Sequence, residues 1–224
     1  MKILFFGDSI TDACRAREST YVPALNLGCG FVQHVAGRLC EKSPTDYEIV
    51  NTGIAGNRVV DLYARVKQDC WGHAPDLISI LIGVNDVWHD AMHGDGEGLD
   101  RFARVYRMML EDTIAKLPDA RILLCEPFVL KTGATEDAWE GFATCAAYAE
   151  VVENLAKEYG FYFLPLQQKI NEAAAKHGAE SILFDGVHPS LAGAVLIANE
   201  WLKKFETIKE NIKNEHSLSS GSEK

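Results

Sequence analysis

Lys2-Ile3-Leu4-Phe5-Phe6 runs without a break into Gly7-Asp8-Ser9. A short, continuous apolar run closed by glycine reads as a strand covered on both faces, the pattern of a parallel sheet. Further runs of this kind lie at 47–51, 77–82, 121–126 and 161–164. Helical patterns fall at 32–41, 59–70, 99–117, 138–159, 166–177 and 190–205. In the pattern over 99–117, Phe102, Val105, Tyr106, Met109, Leu110 and Ile114 form a one-sided stripe suited to packing on a sheet. Strands alternating with helices call for right-handed crossovers. The expected fold is therefore α/β, a three-layer α/β/α sandwich around a five-stranded parallel sheet.

With 224 residues, 47% of them hydrophobic, the chain is long enough for one sizeable core. The expected domain is 1–206. The remainder, 207–224, is polar, ends Ser-Leu-Ser-Ser-Gly-Ser-Glu-Lys and is expected to be disordered. The segment 11–30 holds Pro23, Gly28 and Gly30 with little periodicity and reads as a long loop above the strand ends. A net charge of −10 argues against a nucleic-acid partner, which would meet a basic face. No stretch approaches the roughly 18 apolar residues of a membrane helix, and the first apolar run is too short for a signal-peptide core. The expectation is a cytoplasmic chain without a membrane partner. Its six cysteines, with no C-x-x-C pair among them, read as reduced thiols. The sequence leaves room for a homo-oligomer.

In open α/β sheets, ligands bind beyond the carboxyl ends of the strands, where Ser9 falls. A hydroxyl is useful there only if a base takes its proton and donors hold the oxyanion formed on attack at a carbonyl. Asp185-Gly186-Val187-His188-Pro189 supplies the base, since a carboxylate three residues ahead of a histidine can turn back to hold the imidazole. Ser9, His188 and Asp185 then make a triad. Asn51-Thr-Gly-Ile-Ala-Gly56-Asn57 and Gly83-Val-Asn85-Asp86-Val-Trp88 end the second and third strands at the same rim. The N–H groups of Ser9 and Gly56 and the Asn85 amide are three candidate oxyanion donors. Each motif alone also reads as a helix cap or a turn. A different class remains open, a magnesium-dependent phosphoacceptor or nucleotide-binding module using Asp8, Asp86 and Asp185. His89 and His93 have an i, i+4 spacing but no evident third ligand, so no metal is expected there.

Gly7-Asp8-Ser9-Ile10, Gly56, Gly83-Val-Asn85-Asp86 and Asp185-Gly-Val-His188-Pro189, in this order, resemble the four signature blocks of the SGNH hydrolases, also called GDSL esterases. The resemblance implies a flavodoxin-like sandwich, Ser9 as nucleophile, His188 as base, Asp185 as its orienter, and Ser9, Gly56 and Asn85 as the oxyanion hole. The longer stretches around Ser9, Gly56 and Asn85 are most similar to bacterial carbohydrate acetylesterases. That similarity implies removal of acetyl groups from short xylo-oligosaccharides, with an acetylated sugar as the small-molecule partner; the triad chemistry calls for no cofactor. The alternative is a general short-chain ester, thioester or lysophospholipid hydrolase. Asp8 and Trp88 are the candidate substrate-binding residues, Trp88 as a wall of the acyl pocket or a stacking surface for sugar.

Overall fold

A computed structural model of the chain describes residues 1–18, 22–94, 96 and 98–221. Five strands form one parallel sheet: β1 (Lys2–Gly7), β2 (Glu48–Asn51), β3 (Leu77–Leu81), β4 (Arg121–Cys125) and β5 (Tyr162–Leu164). Their order is β2-β1-β3-β4-β5, so the chain reverses its direction of winding between β1 and β3. In the flavodoxin-like topology, that switch opens the crevice in which ligands bind. The register pairs Gly7 with Leu81, which sets the ends of β1 and β3 side by side at this point. All five residues of β3 are buried, as expected of a strand covered on both faces, whereas edge strand β2 is half-open.

Helices α2 (Phe31–Lys42), α3 (Val59–Asp69), α5 (Leu99–Lys116) and α8 (Gln167–His177) follow the sequence pattern closely. Three elements depart from it. Helix α4 (Val84–His93) begins directly after β3, in a stretch for which the sequence pattern predicts no helix. The helix expected over 138–159 is two helices, α6 (Trp139–Phe142) and α7 (Cys145–Tyr159). The Thr144 hydroxyl takes the Gly141 carbonyl at 2.6 Å, the acceptor that a continuous helix would offer to the next turn. The segment 11–30 opens with the end of a one-turn helix, α1 (Ser9–Asp12), and contains a 3-10 turn at Pro23–Leu27; residues 19–21 lie outside the described residues.

The expected disordered tail is the larger correction. Helix α9 spans Leu191–Gly221, so the boundary expected at 206 falls within a helix; residues 222–224 lie outside the described residues. Beyond the fully buried Trp201 and Phe205, Ile208 is also fully buried and Ile212 packs on the same core. Positions 201, 205, 208 and 212 follow helical spacing, and this sparse apolar stripe is masked by the polar residues around it. Arg121 of β4 pairs with Glu215 near the far end. The stripe seats α9 against the sheet: Trp201 meets the Phe5 ring with centroids 5.1 Å apart and donates its indole N–H to Ser79 at 3.0 Å. Among the described residues, no helix is long and apolar enough to cross a membrane.

The packing of α9 gives a direct test. Ile208→Ala should cost about 2–5 kcal/mol of unfolding free energy in urea titration, as removal of a fully buried isoleucine does elsewhere. Glu210→Ala, on the exposed side, should stay within about 0.5 kcal/mol of the parent. Equal, small effects at both positions would mean that the chain beyond 206 contributes nothing to the core.

Candidate active site

Ser9 is placed by the way β1 ends. A Cβ at Gly7 would lie 2.4 Å from both the Leu81 carbonyl oxygen and Thr11 Oγ1, so only glycine lets the strand turn this tightly into α1. Asp8 is the N-cap, its Oδ1 accepting the Ile10 N–H at 3.0 Å. The single turn ends at Ala13 and Cys14, both in left-handed conformation with φ of 43° and 59°. Capped at one end and reversed at the other, α1 holds the Ser9 hydroxyl at the sheet rim.

His188 arrives from the other end of the chain on a tight loop. The Leu183–Pro189 bridge and the Phe184 N–H on the His188 carbonyl at 3.0 Å close it. Inside it, Asp185 Oδ1 accepts the N–H groups of Val187 and His188 at 3.0 and 2.7 Å, while Oδ2 lies 2.6 Å from His188 Nδ1. The opposite ring nitrogen, Nε2, lies 2.8 Å from Ser9 Oγ. A carboxylate can only accept, so Nδ1 carries the proton and Nε2 presents its lone pair to the serine O–H. Burial pushes the Asp185 carboxyl up, but the His188 N–H, the His188 ring and the Val187 N–H outweigh it and hold the group below the usual carboxylate range.

The loop between β2 and α3 reaches the Ser9 cavity through Ala55, while Gly56 and Asn85 stand outside its lining. Gly56 has φ of +81° and open space where a Cβ would stand, so a side chain would be both strained and in the way. Asn85, in the first turn of α4, donates from Nδ2 to the Asn57 carbonyl at 3.0 Å, which leaves its second amide hydrogen unspent. Residues not singled out in the sequence hold this loop. Asp12 accepts the Ala55 N–H at 2.9 Å and the Arg17 guanidinium at 2.6 Å. Arg15 donates to the Gly53 carbonyl at 2.8 Å. Arg65 of α3 reaches Gly7 O, Thr52 O and Asn57 Oδ1 at 3.0, 2.6 and 2.7 Å. An arginine within a helical pattern carries no mark in the sequence that separates an inward role from an exposed one.

Two candidate substrate contacts are placed elsewhere. Asp8 is fully buried beneath Ser9, and its Oδ2 has no hydrogen-bond partner. Trp88 packs edge-on against Phe142 of α6, with ring centroids 5.1 Å apart, and does not line the cavity at Ser9. Nor do Asp8, Asp86 and Asp185 gather as a magnesium site would require. Among the described residues no group of three metal-ligating side chains forms, and Asp86 is buried, accepting the Val59 N–H at 3.3 and 3.2 Å. The cavity at Ser9, of about 620 Å³, is bounded by Ser9, His188, Phe31, Phe184 and Leu191. Phe184 lies nearly parallel to the His188 ring, centroids 5.8 Å apart, and is 58% exposed. A larger groove of about 790 Å³ between α2 and α9 contains neither Ser9, Asp185 nor His188 and has no comparable nucleophile–base pair.

A 2-1-3-4-5 parallel sheet with a serine–histidine–aspartate relay at its carboxyl rim defines a hydrolase of the flavodoxin-like α/β class. The chain belongs to the GDSL-like lipase/acylhydrolase family, whose model matches residues 5–196, and it is a carboxylic ester hydrolase. An acetylxylan esterase from Geobacillus stearothermophilus is 34% identical over 209 residues, covering 91% of this chain and 93% of that protein. The solved structure of that organism's acetylxylan esterase matches with a TM-score of 0.79 at 34% identity, covering 91% of this chain and 93% of its own. A chain from Parabacteroides merdae described as a GDSL-like lipase matches with a TM-score of 0.85 at 38% identity, over 91% of this chain and 94% of that one. Structures of the Geobacillus esterase described as catalytic mutants replace a serine, an aspartate and a histidine. These are spaced along its chain as Ser9, Asp185 and His188 are here.

The buried carboxyls make a prediction. Burial pushes Asp8 up to about 7, against the Ile10 N–H and the attraction of His188. Burial pushes Asp86 up to about 8, opposed by the Val59 N–H and reinforced by Asp8. Each keeps its proton in the folded chain at a pH where the unfolded carboxyl, ordinarily near 4, has lost it. The resulting stabilisation is complete below about pH 4, declines as pH rises and is gone above about pH 8. Asp8→Asn and Asp86→Asn should each raise the thermal midpoint at about pH 8 relative to about pH 5, compared with the parent. A midpoint shift that is the same at both pH values would show the carboxyl to be ionised in the folded state.

Proposed function

We propose that the chain removes acetyl groups from acetylated carbohydrates of the xylo-oligosaccharide type through an acetyl-serine intermediate on Ser9. The observation that carries this reading is the hydrogen-bonded relay from Ser9 Oγ through His188 to Asp185 on the wall of an open cavity. The match to an acetylxylan esterase along 91% of the chain supports the substrate class.

In this mechanism His188 Nε2 takes the Ser9 proton as Oγ attacks the ester carbonyl, and Asp185 steadies the imidazolium that forms. The developing oxyanion meets the N–H groups of Ser9 and Gly56 and the unspent Asn85 amide hydrogen. Each donor is fixed beforehand by the turn, loop or helix that bears it, so little reorganisation opposes the step. His188 returns the proton to the departing sugar hydroxyl. It then activates a water that cleaves the acetyl-enzyme and releases acetate. Every proton moves between named side chains, substrate and water, so the cycle requires no metal or organic cofactor. The exposed face of Phe184 beside His188 offers an apolar platform for the sugar ring of the leaving alcohol. The three exposed cysteines, all free thiols, suit a reducing cytoplasm.

Ser9→Ala and His188→Ala should each lower kcat by about a millionfold with the fold intact, and Asp185→Asn should retain more activity. A serine-directed phosphonate should label Ser9 alone in mass spectra; labelling of another serine refutes the assignment. Asn85→Ala should cost about 10²–10³ in kcat with little change in KM, because its hydrogen is aimed at charge that exists only after attack. Across acyl esters of one alcohol, acetyl should be cleaved at least about tenfold faster than butyryl, which needs only about 1.4 kcal/mol of crowding in the acyl site. Rising kcat/KM with chain length would reject acetyl selectivity and favour a lysophospholipid or thioester hydrolase.

A further inference from the structure

Two thiols stand in the wall of the Ser9 cavity. Cys14 and Cys29 both line it and both are exposed. The other cysteines have different settings. Cys70, Cys125 and Cys145 are buried, and burial pushes each thiol up to about 12. Cys40 is exposed on α2, outside the cavity lining. A buried, protonated thiol is inert towards disulfide exchange, so the reactive set is Cys14, Cys29 and Cys40.

The backbone brings the first two together. The Cys29 N–H donates to the Ala13 carbonyl at 2.8 Å, and the Cys29 thiol reaches the same oxygen at 3.2 Å. The carbon of that carbonyl is bonded to the Cys14 nitrogen. With standard bond lengths, the two cysteine Cα atoms therefore lie no more than about 7 Å apart, the outer limit for a disulfide. The contact is also tight: a Cβ at Gly30, next to Cys29, would lie 2.6 Å from the Ala13 Cβ.

We infer that Cys14 and Cys29 form a thiol–disulfide switch in the wall of the catalytic cavity, with a low-molecular-weight disulfide such as oxidised glutathione as the oxidant. One protein thiolate attacks a sulfur of the oxidant, forming a mixed disulfide and displacing one small thiol. The second protein thiolate attacks the cysteine sulfur of that mixed disulfide and displaces the other small thiol. One protein S–S bond and two small-molecule thiols replace two protein thiols and one small-molecule S–S bond, and two electrons pass to the oxidant.

Closure slows ester hydrolysis through α1. Bonded sulfurs lie about 2 Å apart, well inside their contact distance, so closure draws segment 28–30 towards the turn at Ala13 and Cys14. That turn ends the helix carrying Ser9, the Ala13 N–H donating to the Ser9 carbonyl at 2.9 Å. With no slack at Gly30, the movement passes to α1 and lifts Ser9 Oγ off His188 Nε2.

The test treats the full chain with oxidised glutathione, alkylates the remaining thiols and digests with trypsin. Cys14 then lies in peptide 3–15, Cys29 in 18–38 and Cys40 in 39–42. The expected product is 3–15 joined to 18–38, two hydrogens lighter than the reduced pair, with Cys40 outside the link. Hydrolysis of 4-nitrophenyl acetate should fall at least about threefold in kcat/KM and recover with dithiothreitol. Cys29→Ser should be insensitive to the oxidant relative to its own untreated rate. Separate, stable glutathione adducts on Cys14 and Cys29, or the linked peptide with unchanged kcat/KM, would overturn the switch. Because the link is read by mass, its failure is distinct from any failure of the sugar substrate assigned to Ser9.

Discussion

The guanidinium of Arg65 is where the strand ends and the candidate active site become one object. It lies over the Phe6 ring at 4.5 Å and donates to the carbonyl of Gly7 at the end of β1 and to that of Thr52 just past β2. It also reaches Asn57 Oδ1, and Asp69 one turn along α3 supplies its counter-charge at 2.9 Å. Strands that stop at a rim leave carbonyls no longer served by the sheet, and unpaired carbonyls of that kind are costly once covered. One planar cation with five donors in fixed geometry can serve several of them together, which an ammonium cannot do as well. Ser9 follows Gly7 by two residues, and the Asn57 carbonyl holds Asn85. The Ser9 side and the Asn85 side of the candidate site are thus referred to a single cation.

Around that centre the carboxyl groups divide into two kinds. Asp185 is half-buried and surrounded by donors, so it stays ionised and can stabilise a positive imidazolium. Asp8 and Asp86 lie in the interior beneath the rim, where burial favours their protonated forms. The difference has consequences for a reaction that builds negative charge above Ser9. In the proposed mechanism an ionised Asp8 beneath Ser9 would oppose the oxyanion, whereas a protonated one caps α1 without opposing it. Two carboxyls close in sequence to the candidate catalytic residues Ser9 and Asn85 therefore serve the architecture of the turns, and in the proposed mechanism the chemistry falls to Asp185.

The strand runs and the four rim motifs were legible because both depend on short-range patterns. Continuous apolar runs reveal doubly covered strands, and Gly7, Asp185 and His188 sit at fixed offsets from element ends. Asp8 and Trp88 show the limit of that legibility. Adjacency to Ser9 and Asn85 along the chain does not say which way a side chain points, and in the structure Asp8 turns down to cap α1 while Trp88 turns to Phe142. Arg65, Asp12 and Phe184 were missed for the opposite reason. They meet the site only through contacts distant in sequence, and an arginine in a helix or an aromatic ahead of Asp185 has many ordinary explanations. The far half of α9 was hidden by composition, since four apolar residues at helical spacing suffice to seat it among polar neighbours.

Ser9 and His188 are separated by 179 positions. A ribosome therefore releases Ser9 early and His188 late. Chains fold broadly from the N-terminus as they emerge, and the cover over Phe5 of β1 is assembled in two stages, by Phe31 of α2 and much later by Trp201 of α9. Pairings this distant in sequence also form slowly. A nascent chain that ends before His188 thus presents Ser9 without the imidazole that meets its hydroxyl in the folded structure. The Ser9–His188–Asp185 relay therefore closes only after synthesis has passed position 188.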